Sequence, residues 1–275
     1  MAFLTEPEPT RGAVLPVLPG ISRIVAANPG PMTYHGTNTY LIETKDGLVV
    51  LDPGPDEPAH VDAIVQATGG KVDLILLSHT HHDHLGAMAT LVAATGARTA
   101  GYGQPADAQF VPDVKLDDGA AIAGMAVLHT PGHASDHVCY ALPTAGGAVL
   151  FSADHVMSWN SSVVSPPDGD MAAYVASLKR VLDHGDDVFL PGHGPPLPQP
   201  RALTRALLFH RMEREQAILA RLGKSPADTP GLRAALYSQI NPRLQRAAER
   251  NVLAHLLKLQ AEGKVTQQDT LWRVA

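Results

Sequence analysis

The chain has 275 residues, of which 45% are hydrophobic and 5% aromatic, with a formal net charge of −6, so it can bury a large core as one large domain or as a large and a small one. Its longest apolar runs, such as LILL at 74–77, are too short to cross a membrane, and MAFLTEPEPTRG lacks the basic and apolar stretches of a signal peptide. A single cysteine excludes an internal disulfide framework, and we therefore expect a cytoplasmic protein that does not bind membranes.

Eight short runs of apolar or β-branched residues precede residue 200, and most end in polar, Gly-rich turns, which is the pattern of strands. In chain order the predicted strands lie within 21–28, 37–44, 47–54, 73–79, 125–133, 137–143, 148–154 and 187–194. Helical patterns occupy 57–68, 84–95 and 170–184. Nearly all side chains that could carry chemistry lie in the turns that follow the strands.

A proline-dense segment, PGHGPPLPQPR at 191–201, marks a change of pattern. Three helical segments follow it, and two strand-like pieces, KVTQQ and TLWRVA, close the chain. The net charge changes at the same place, from −13 over residues 1–200 (8 basic, 21 acidic) to +7 over residues 201–275 (13 basic, 6 acidic). We therefore predict two domains, 1–200 and 201–275, the second with the element order of a winged helix. A solvated helical surface would give the same charge pattern.

One apolar stripe runs along the last helical segment, with spacings of four, four and three: Ala248, Val252, Leu256 and Leu259. Three arginines, Arg243, Arg246 and Arg250, would lie mostly off that stripe and are candidates for contacts with phosphate groups. The same segment could instead pack beside an active site and shape a pocket for a small molecule.

Four histidines lie within six positions of LLSHTHHDHLGA, at 76–87. LILLS is typical of a buried strand and HLGAMATLVAATG of a helix, so the cluster forms a strand-to-helix turn. His79 and His81 can face the same side of an extended segment, while Asp83 and His84 can reach a second point nearby. Imidazoles and carboxylates without thiolates suit zinc, iron or manganese. The alternative is a His-rich surface turn without function.

This stretch resembles the H-x-H-x-D-H signature of the metallo-β-lactamase superfamily, and three later motifs match the pattern in the expected order. They are HTPGH with His133, FSADH with Asp154 and PGHG with His193. The resemblance implies an α/β fold, the αββα sandwich, for residues 1–200, and two metal sites. The implied ligands are His79, His81 and His133 at the first site, Asp83, His84 and His193 at the second, and Asp154 at both.

The resemblance also implies a hydrolase with two Zn²⁺ ions as cofactors, iron or manganese being alternatives. Two such ions can hold a bridging hydroxide, so no protein nucleophile is needed, and Asp83 and Asp154 are the carboxylates that we place in catalysis. Ala153 stands where glycine is usual before the shared aspartate, and it should fit there if the backbone at that position is extended. His82 alternates away from its neighbours and is predicted not to bind metal.

Four further residues are predicted to support the ligands or to contact substrate: Asp52, Asn38, His137 and His155. Asp52 ends the predicted strand GLVVLDPG, and metal-bound imidazoles usually donate their second N–H to such a group. A turn-forming role is the alternative for Asp52. His137 follows the HTPGH turn and His155 follows the shared aspartate, so each could lie behind the ligands or reach the substrate.

The segment NPGPMTYHGTNTYLIE is similar to the opening of the β-lactamase-like protein 2 group, whose studied members are endoribonucleases that act on single-stranded RNA. HRMEREQAIL and ERNVLAHLLKLQAEGKV are similar to the closing domain of that group, so the resemblance runs from Asn28 to about Val265. Because the N-terminal block is shared with thioesterases of related build, it leaves the substrate open.

Two enzymatic functions therefore stay open. The resemblance and the basic C-terminal segment favour cleavage of single-stranded RNA, whereas the acidic body and the few aromatic residues favour hydrolysis of a small ester, thioester or lactone.

Three other functions are disfavoured. A nucleic-acid-binding protein with a vestigial metal site is disfavoured because all seven implied ligands are present. An antibiotic β-lactamase is disfavoured by Asp154, by the Asp83–His84 pair and by the additional domain. His81 disfavours a di-iron oxygen-reducing module, in which we expect glutamate. We also expect residues 201–275 to pack against the metal-bearing face.

Overall fold

The computed structural model describes residues 2–275, and two β-sheets form its larger part. The first sheet has seven strands in sequence order, β1 to β7: Leu15–Leu18, Ile21–Val25, Asn38–Thr44, Gly47–Leu51, Leu74–Leu76, Arg98–Tyr102 and Val114–Leu116. Strands β1 to β4 pair antiparallel, and β4 to β7 pair parallel. Because β4 and β5 are parallel neighbours, Asp52 and the His-rich turn leave the sheet at the same edge.

The second sheet contains β8 to β13: Ala121–Ile122, Met125–His129, Val138–Thr144, Gly147–Ala153, Val188–Pro191 and Leu197–Pro198. Their spatial order is β13-β12-β11-β10-β9-β8. Only β11 and β12 are parallel neighbours in this sheet. The residues that follow these two strands, Asp154 and the turn with His193, therefore also emerge together.

The main core lies between the two sheets and uses alternate residues of the facing strands, as the two-residue period of a strand requires. Tyr40 and Ile42 of β3 are buried with Tyr140 of β10 and Phe151 of β11. The rings of Tyr40 and Phe151 meet edge to face, with centroids 5.3 Å apart. Residues of opposite parity on the same strands face outward and are covered by helices.

Four helices belong to this part of the chain: α1 (Pro58–Thr68), α2 (His82–Leu85), α3 (Met88–Thr95) and α4 (Met171–His184). Helices α1 and α3 cover the first sheet, and α4 covers the second. Asp170 caps α4 by accepting a hydrogen bond from the backbone N–H of Ala173, and Gly185 ends it in the left-handed conformation. The predicted αββα sandwich is therefore confirmed.

The C-terminal part has three α-helices, a one-turn 3₁₀ helix and a hairpin: α5 (Arg201–Leu222), α6 (Thr229–Leu236), the 3₁₀ helix (Pro242–Leu244), α7 (Gln245–Ala261), β14 (Val265–Gln268) and β15 (Leu271–Val274). Trp272, 1% exposed, packs with Ile218, Leu232 and Leu256 in a separate core. The predicted winged-helix-like arrangement is confirmed. No helix within residues 2–275 combines the length and apolar character needed to cross a membrane.

Helix α5 belongs to both parts of the molecule. Leu203 and Leu207, near its start, pack in the core under the second sheet, whereas Ile218 and Leu222, near its end, pack in the winged-helix core. One continuous helix thus joins the C-terminal part to the sandwich.

Two local predictions differ from the structure. The single helix predicted over 84–95 is two helices, because the N–H of Ala87 donates to the carbonyl of Gly54 at 2.9 Å instead of continuing the helical pattern. Five strands were not predicted: β1, β6, β7, β8 and β13. They have two to five residues, a length at which periodicity in the sequence is a weak signal.

Candidate metal centre

The turns at one edge of the sandwich bring the predicted ligands together. Their nitrogen and oxygen atoms form three overlapping groups, each with all ligand atoms within 4.8 Å of one another: His79, His81 and His133; His79, His84 and Asp154; Asp83, His84 and His193. All seven predicted ligands are in these groups. His82 is not, and its side chain is exposed.

The first group contains three ring nitrogens that face one another. Nε2 of His79 and Nε2 of His133 each lie 3.0 Å from Nδ1 of His81. Tetrahedral zinc with bonds of about 2.0–2.1 Å separates two nitrogen ligands by roughly 3.3 Å. The spacing of these three nitrogens therefore fits a single ion of that size.

Asp154 faces both groups of ligands. Its Oδ2 lies 3.5 Å from Nε2 of His133, and its Oδ1 lies 3.6 Å from Nε2 of His84 and 3.4 Å from Nε2 of His193. Oδ2 of Asp83 is 3.2 Å from the same atom of His193. Nε2 of His84 and Oδ1 of Asp154 are buried and have no hydrogen-bond partner within residues 2–275. Buried polar atoms rarely lack a partner, and a cation between these groups would supply it.

Asp52 is hydrogen-bonded to two of the predicted ligands, directly to His84 and through Ser78 to His79. Its Oδ2 accepts hydrogen bonds from Nδ1 of His84 at 2.8 Å and from Oγ of Ser78 at 2.7 Å. Oγ of Ser78 in turn accepts from Nδ1 of His79 at 2.9 Å, so Nε2 of each ring faces the cluster. Asp52 also accepts from the backbone N–H of Ser78 at 2.8 Å and has a left-handed φ of 54°. The contacts expected for each of the two roles considered for Asp52, one with a predicted ligand and one within the turn, thus occur together.

Backbone carbonyls orient two other ligands. Nδ1 of His133 donates to the carbonyl oxygen of Val163 at 2.7 Å, and Nδ1 of His193 donates to that of Gly36 at 3.2 Å. Each bond fixes the ring and leaves Nε2 as the free nitrogen. This second hydrogen bond is the usual companion of a metal-bound histidine.

The charges of the cluster match the forms that bind a metal. Burial would raise the pKa values of Asp83 and Asp154, but His84 and His193 hold both well below the usual range. Burial, together with His81, lowers the pKa of His133 to about 4. Burial would also lower the pKa of His84, but Asp83, Asp52 and Asp154 raise it to about 9. The carboxylates are therefore ionised and His133 is neutral near pH 7, and a cation would take the place of the proton held by His84.

Two backbone positions are tightly constrained beside Asp154. A Cβ atom on Gly192 would lie 2.5 Å from Oδ1 of Asp154 and 2.8 Å from Cε1 of His84, so only glycine allows the chain to pass here. Ala153 has a φ of 41°, in the left-handed region. The condition on which alanine was expected to fit here, an extended backbone, is therefore not met, and a glycine at this position would avoid steric strain.

The remaining predicted supporting residues lie behind the ligands. The Nδ2 of Asn38 donates to the carbonyls of Pro191 and Gly194, both at 2.9 Å, and so holds the turn that carries His193. His137 and His155 are fully buried and do not line the cleft. Nδ1 of His137 bonds to Oγ1 of Thr130 at 2.9 Å, and burial lowers the pKa of His155 to about 3.

Two charged residues that support the site were not predicted. Oδ2 of Asp168 lies 3.7 Å from Nε2 of His81, and its Oδ1 accepts from the N–H of Ser135 at 3.0 Å. Arg23, which is 4% exposed, donates to the carbonyl of Gly194 at 2.7 Å and pairs with Glu6. Asp168 occurs in a Pro- and Gly-rich stretch typical of a turn, and Arg23 occurs in the middle of a strand, so no local signal pointed to either residue.

A cleft of about 760 Å³ opens over the cluster. Five of the ligands line it: His81, Asp83, His133, Asp154 and His193. Its other walls include an apolar set (Met32, Met157, Val163, Pro166, Pro167) and the three arginines of the C-terminal part (Arg243, Arg246, Arg250). Residues 201–275 therefore pack beside the metal-bearing face, as predicted. Within residues 2–275, no carboxylate oxygen lies within 4.0 Å of these three guanidinium groups.

Comparisons with known proteins agree with this architecture. The family model of the metallo-beta-lactamase superfamily matches residues 32–193, and that of the beta-lactamase associated winged helix domain matches residues 231–272. The chain is 31% identical to a beta-lactamase-like protein 2 homolog of Drosophila melanogaster, over 92% of each chain. It is also 31% identical to an atrochrysone carboxyl ACP thioesterase of Aspergillus chevalieri, over 83% of this chain and 76% of the relative.

A solved structure adds a metal-loaded neighbour. TTHA1623 in a di-iron-bound form is 32% identical to this chain with a TM-score of 0.56, and the match covers 66% of this chain and 96% of that one. The matching family model spans more than half of the chain and contains the whole ligand cluster. The chain thus belongs to the metallo-β-lactamase superfamily, as a metal-dependent hydrolase with a β-lactamase-associated winged-helix domain.

Proposed function

We propose that the chain is a dinuclear zinc hydrolase that cleaves phosphodiester bonds in single-stranded RNA. The observation that carries this proposal is the position of Arg243, Arg246 and Arg250, which line the same cleft as the ligand cluster and have no carboxylate partner within residues 2–275. Arginines without an acidic partner beside a hydrolytic site favour an anionic substrate. Arginine binds phosphate groups well, and phosphate contacts contribute much of the affinity for nucleic acids.

The chain's own residues would divide the work at the centre. His79, His81 and His133 would hold one ion, and Asp83, His84 and His193 the other. Asp154 would contact both ions, since its two oxygens face the two groups. When bound, a pair of divalent ions supplies an activated water and neutralises charge that develops on the attacking and leaving oxygens. Asp52 and the carbonyls of Val163 and Gly36 keep the rings aligned, so little reorganisation is required during the reaction.

The arginines would act on substrate rather than on the metal ligands. Arg243 and Arg246 are exposed, and Arg250 is half-buried beside Ser165. A guanidinium group can bind two phosphate oxygens at once, so these side chains can hold the backbone on either side of the scissile phosphate without reading the bases. Few aromatic residues are available for stacking, which favours binding through the backbone.

Hydrolysis of an acyl thioester is a second candidate, and a different wall of the cleft favours it. Met32, Met157, Val163, Pro166 and Pro167 provide an apolar surface beside the ligands, suited to an acyl chain. A relative named as an ACP thioesterase adds support. In this function the arginines would bind the phosphate of the thiol carrier.

A side-by-side assay of the zinc-loaded protein on labelled single-stranded RNA, an acyl thioester and an acyl lactone separates the candidates. The double variant Arg243→Gln/Arg246→Gln tests the arginine wall. Its matched control is Arg205→Gln/Lys224→Gln, which removes the same charge from exposed positions outside the cleft. We expect RNA cleavage by the wild type and the control, with weakened RNA binding in the double variant. The slope of log affinity against log salt should fall by about 0.7 for each lost phosphate contact.

RNA cleavage must also disappear in His133→Ala, which excludes a contaminating nuclease. Efficient thioester turnover with RNA left intact would overturn the RNA proposal in favour of the second candidate, and loss of the two arginines should then weaken binding of the phosphate-bearing thiol carrier. Equal loss of RNA binding in the control variant would mean that net charge, and not the cleft, carries the affinity.

A further inference from the structure

The loop between Asp154 and α4 connects the winged-helix part to a metal-ligand candidate through one peptide group. The carbonyl oxygen of Val163 accepts a hydrogen bond from Nδ1 of His133 at 2.7 Å. The N–H of Val164, which belongs to the same planar peptide, donates to Oδ1 of Asn251 at 3.0 Å. Asn251 lies on α7, so a single rigid unit joins this helix to His133.

The preceding peptide is held from α5. Nη2 of Arg211 donates to the carbonyl oxygen of Ser162 at 2.6 Å, and Nη1 of Arg211 lies 3.4 Å from Oδ1 of Asn251. Oγ of Ser162 donates to the carbonyl oxygens of Asp154 and His155. Helices α5 and α7 therefore hold the Ser162–Val163 and Val163–Val164 peptide groups. The second of these contains the carbonyl to which His133 donates.

Packing alone does not account for the burial of Arg211. It is 2% exposed, and within residues 2–275 no carboxylate oxygen lies within 4.0 Å of its guanidinium group. Its charge instead faces the carbonyl of Ser162, the amide oxygen of Asn251 and the ring of Tyr174, whose centroid is 5.0 Å from Cζ. A buried charge without an ionic partner is costly, whereas an apolar side chain would fill this position at lower cost. The polar contacts to the loop are what distinguish arginine from such a side chain.

We propose that Asn251 and Arg211 are positioning residues for His133. They hold the Val163–Val164 peptide so that its carbonyl accepts the Nδ1–H of His133 and Nε2 stays directed at the cluster. The winged-helix part thereby contributes to the affinity of the metal centre and not only to the shape of the cleft. This inference rests on the proposed metal centre, but not on any particular substrate.

Metal affinity without turnover tests this role. We would measure zinc binding to the full chain by competition with a chromophoric chelator, and unfolding by denaturant for every variant. Asn251→Ala removes the acceptor for Val164, and Asn251→Asp retains it. Arg211→Met removes the guanidinium group. Arg214→Met is its matched control, because Arg214 also lies on α5, stacks 4.3 Å from the ring of Tyr237 and donates to the carbonyl of Leu236, all within the C-terminal part.

We expect Asn251→Ala and Arg211→Met to weaken zinc binding about 10-fold, the lower end of what loss of an outer partner costs. Asn251→Asp and Arg214→Met should bind zinc as the wild type does, even if Arg214→Met unfolds more easily. A cobalt-loaded sample should show a changed visible absorption spectrum in Asn251→Ala and the wild-type spectrum in Asn251→Asp.

Zinc affinity in Asn251→Ala equal to that of the wild type would overturn the positioning role. Equal weakening in Arg214→Met would assign the effect to general destabilisation and would overturn it as well. If Arg211→Met does not fold, the Asn251→Ala and Asn251→Asp pair decides. Wild-type protein that binds no zinc would instead overturn the metal centre itself, so the two failures are distinguishable.

Discussion

Two clefts of similar size lie at opposite ends of the sandwich strands, one of about 760 Å³ over the ligand cluster and one of about 620 Å³ at the other end. The second cleft lies where β4, β11 and β12 begin, between the hairpin turns around Lys45 and Gly146. It is mainly apolar and contains no histidine, and its charged residues are Glu43, Lys45 and Asp187. Volume therefore does not identify the functional end.

The connections between strands explain the difference. At the second cleft, two-residue hairpins form hydrogen bonds within themselves. Oγ1 of Thr44 donates to the carbonyl of Gly47, and Oγ1 of Thr144 donates to the carbonyl of Gly147. At the metal-bearing end, parallel strands require longer connections, and the side chains that follow them can converge. At that end, Nε2 of His84 and Oδ1 of Asp154 are both buried without a hydrogen-bond partner in the part of the chain that the structure describes, and they lie 3.6 Å apart.

The largest effect that would test this contrast is expected from Asp154→Ala. Its carboxylate is assigned to both ions, so activity should fall by more than the roughly 100-fold that loss of an outer partner costs. The matched change is His82→Ala, at an exposed neighbour outside the ligand groups, which should retain activity. Turnover of the substrate found in the panel assay measures both variants. Equal losses would show that the ligand assignment is wrong.

A smaller effect is expected when Asp52, which is hydrogen-bonded to His84 and Ser78, is changed. Asp52→Asn removes the charge that faces His84 and Ser78, and should lower zinc affinity roughly 10- to 100-fold. Asp187→Asn is its counterpart at the other cleft, where that carboxylate accepts from the N–H of Ala148 at 2.9 Å. Zinc titration should separate the two variants, and similar affinities would mean that Asp52 serves only the turn.

Replacing one glycine at each end of the sandwich tests how closely the backbone packs there. Gly192→Ala would place Cβ 2.5 Å from Asp154 and 2.8 Å from His84, so the free energy of unfolding should fall by about 1–3 kcal/mol and zinc binding should weaken. Gly146→Ala, whose nearest neighbouring atom would be Oγ1 of Thr144 at 3.9 Å, should be tolerated. Denaturant unfolding of both variants measures this. A Gly192→Ala variant as stable as Gly146→Ala would contradict the close approach at the cluster.

The smallest change is expected at Ala153. Its left-handed φ costs about 1–2 kcal/mol for a residue with a Cβ. Glycine would remove that strain, but it would lose a buried methyl group worth about 0.8 kcal/mol and about 0.5–1 kcal/mol of backbone entropy. Ala153→Gly should therefore change the free energy of unfolding by less than about 1 kcal/mol and keep the zinc affinity. Ala153→Val should destabilise the protein, because β-branched residues rarely adopt a positive φ. Equal stability of Val and Gly variants would refute the strain.

The ligand set was predictable because its motifs resemble those of a known superfamily, and that resemblance implied each ligand. An apolar strand followed by a polar turn places His79, Asp154 and His193 at strand ends. Pairing of β11 with β12 brings Asp154 next to His193, and packing of the two sheets brings His79 to the same end of the sandwich. The αββα sandwich was likewise what the resemblance implied. The backbone angle at Ala153 was not predictable, since neighbouring sequence does not determine the turn in which it occurs.

Support from distant parts of the chain left no local signal. Asn251 is 87 residues from Val164, and Arg211 is 49 residues from Ser162, so these contacts depend on how α5 and α7 pack on the sandwich. In the sequence, Arg211 is one charged residue among several on a long helix. The sequence therefore predicts the ligands of the candidate centre, and tertiary packing supplies the residues that hold them.

The most direct test of the central claim is the number of metal ions per chain. Protein saturated with zinc, freed of unbound metal and measured by elemental analysis should contain close to two ions per chain, and chelation should abolish hydrolysis. Asp154→Ala should reduce the content in the same preparation, while His82→Ala should not. One ion or none in the saturated wild type would contradict the two-metal centre.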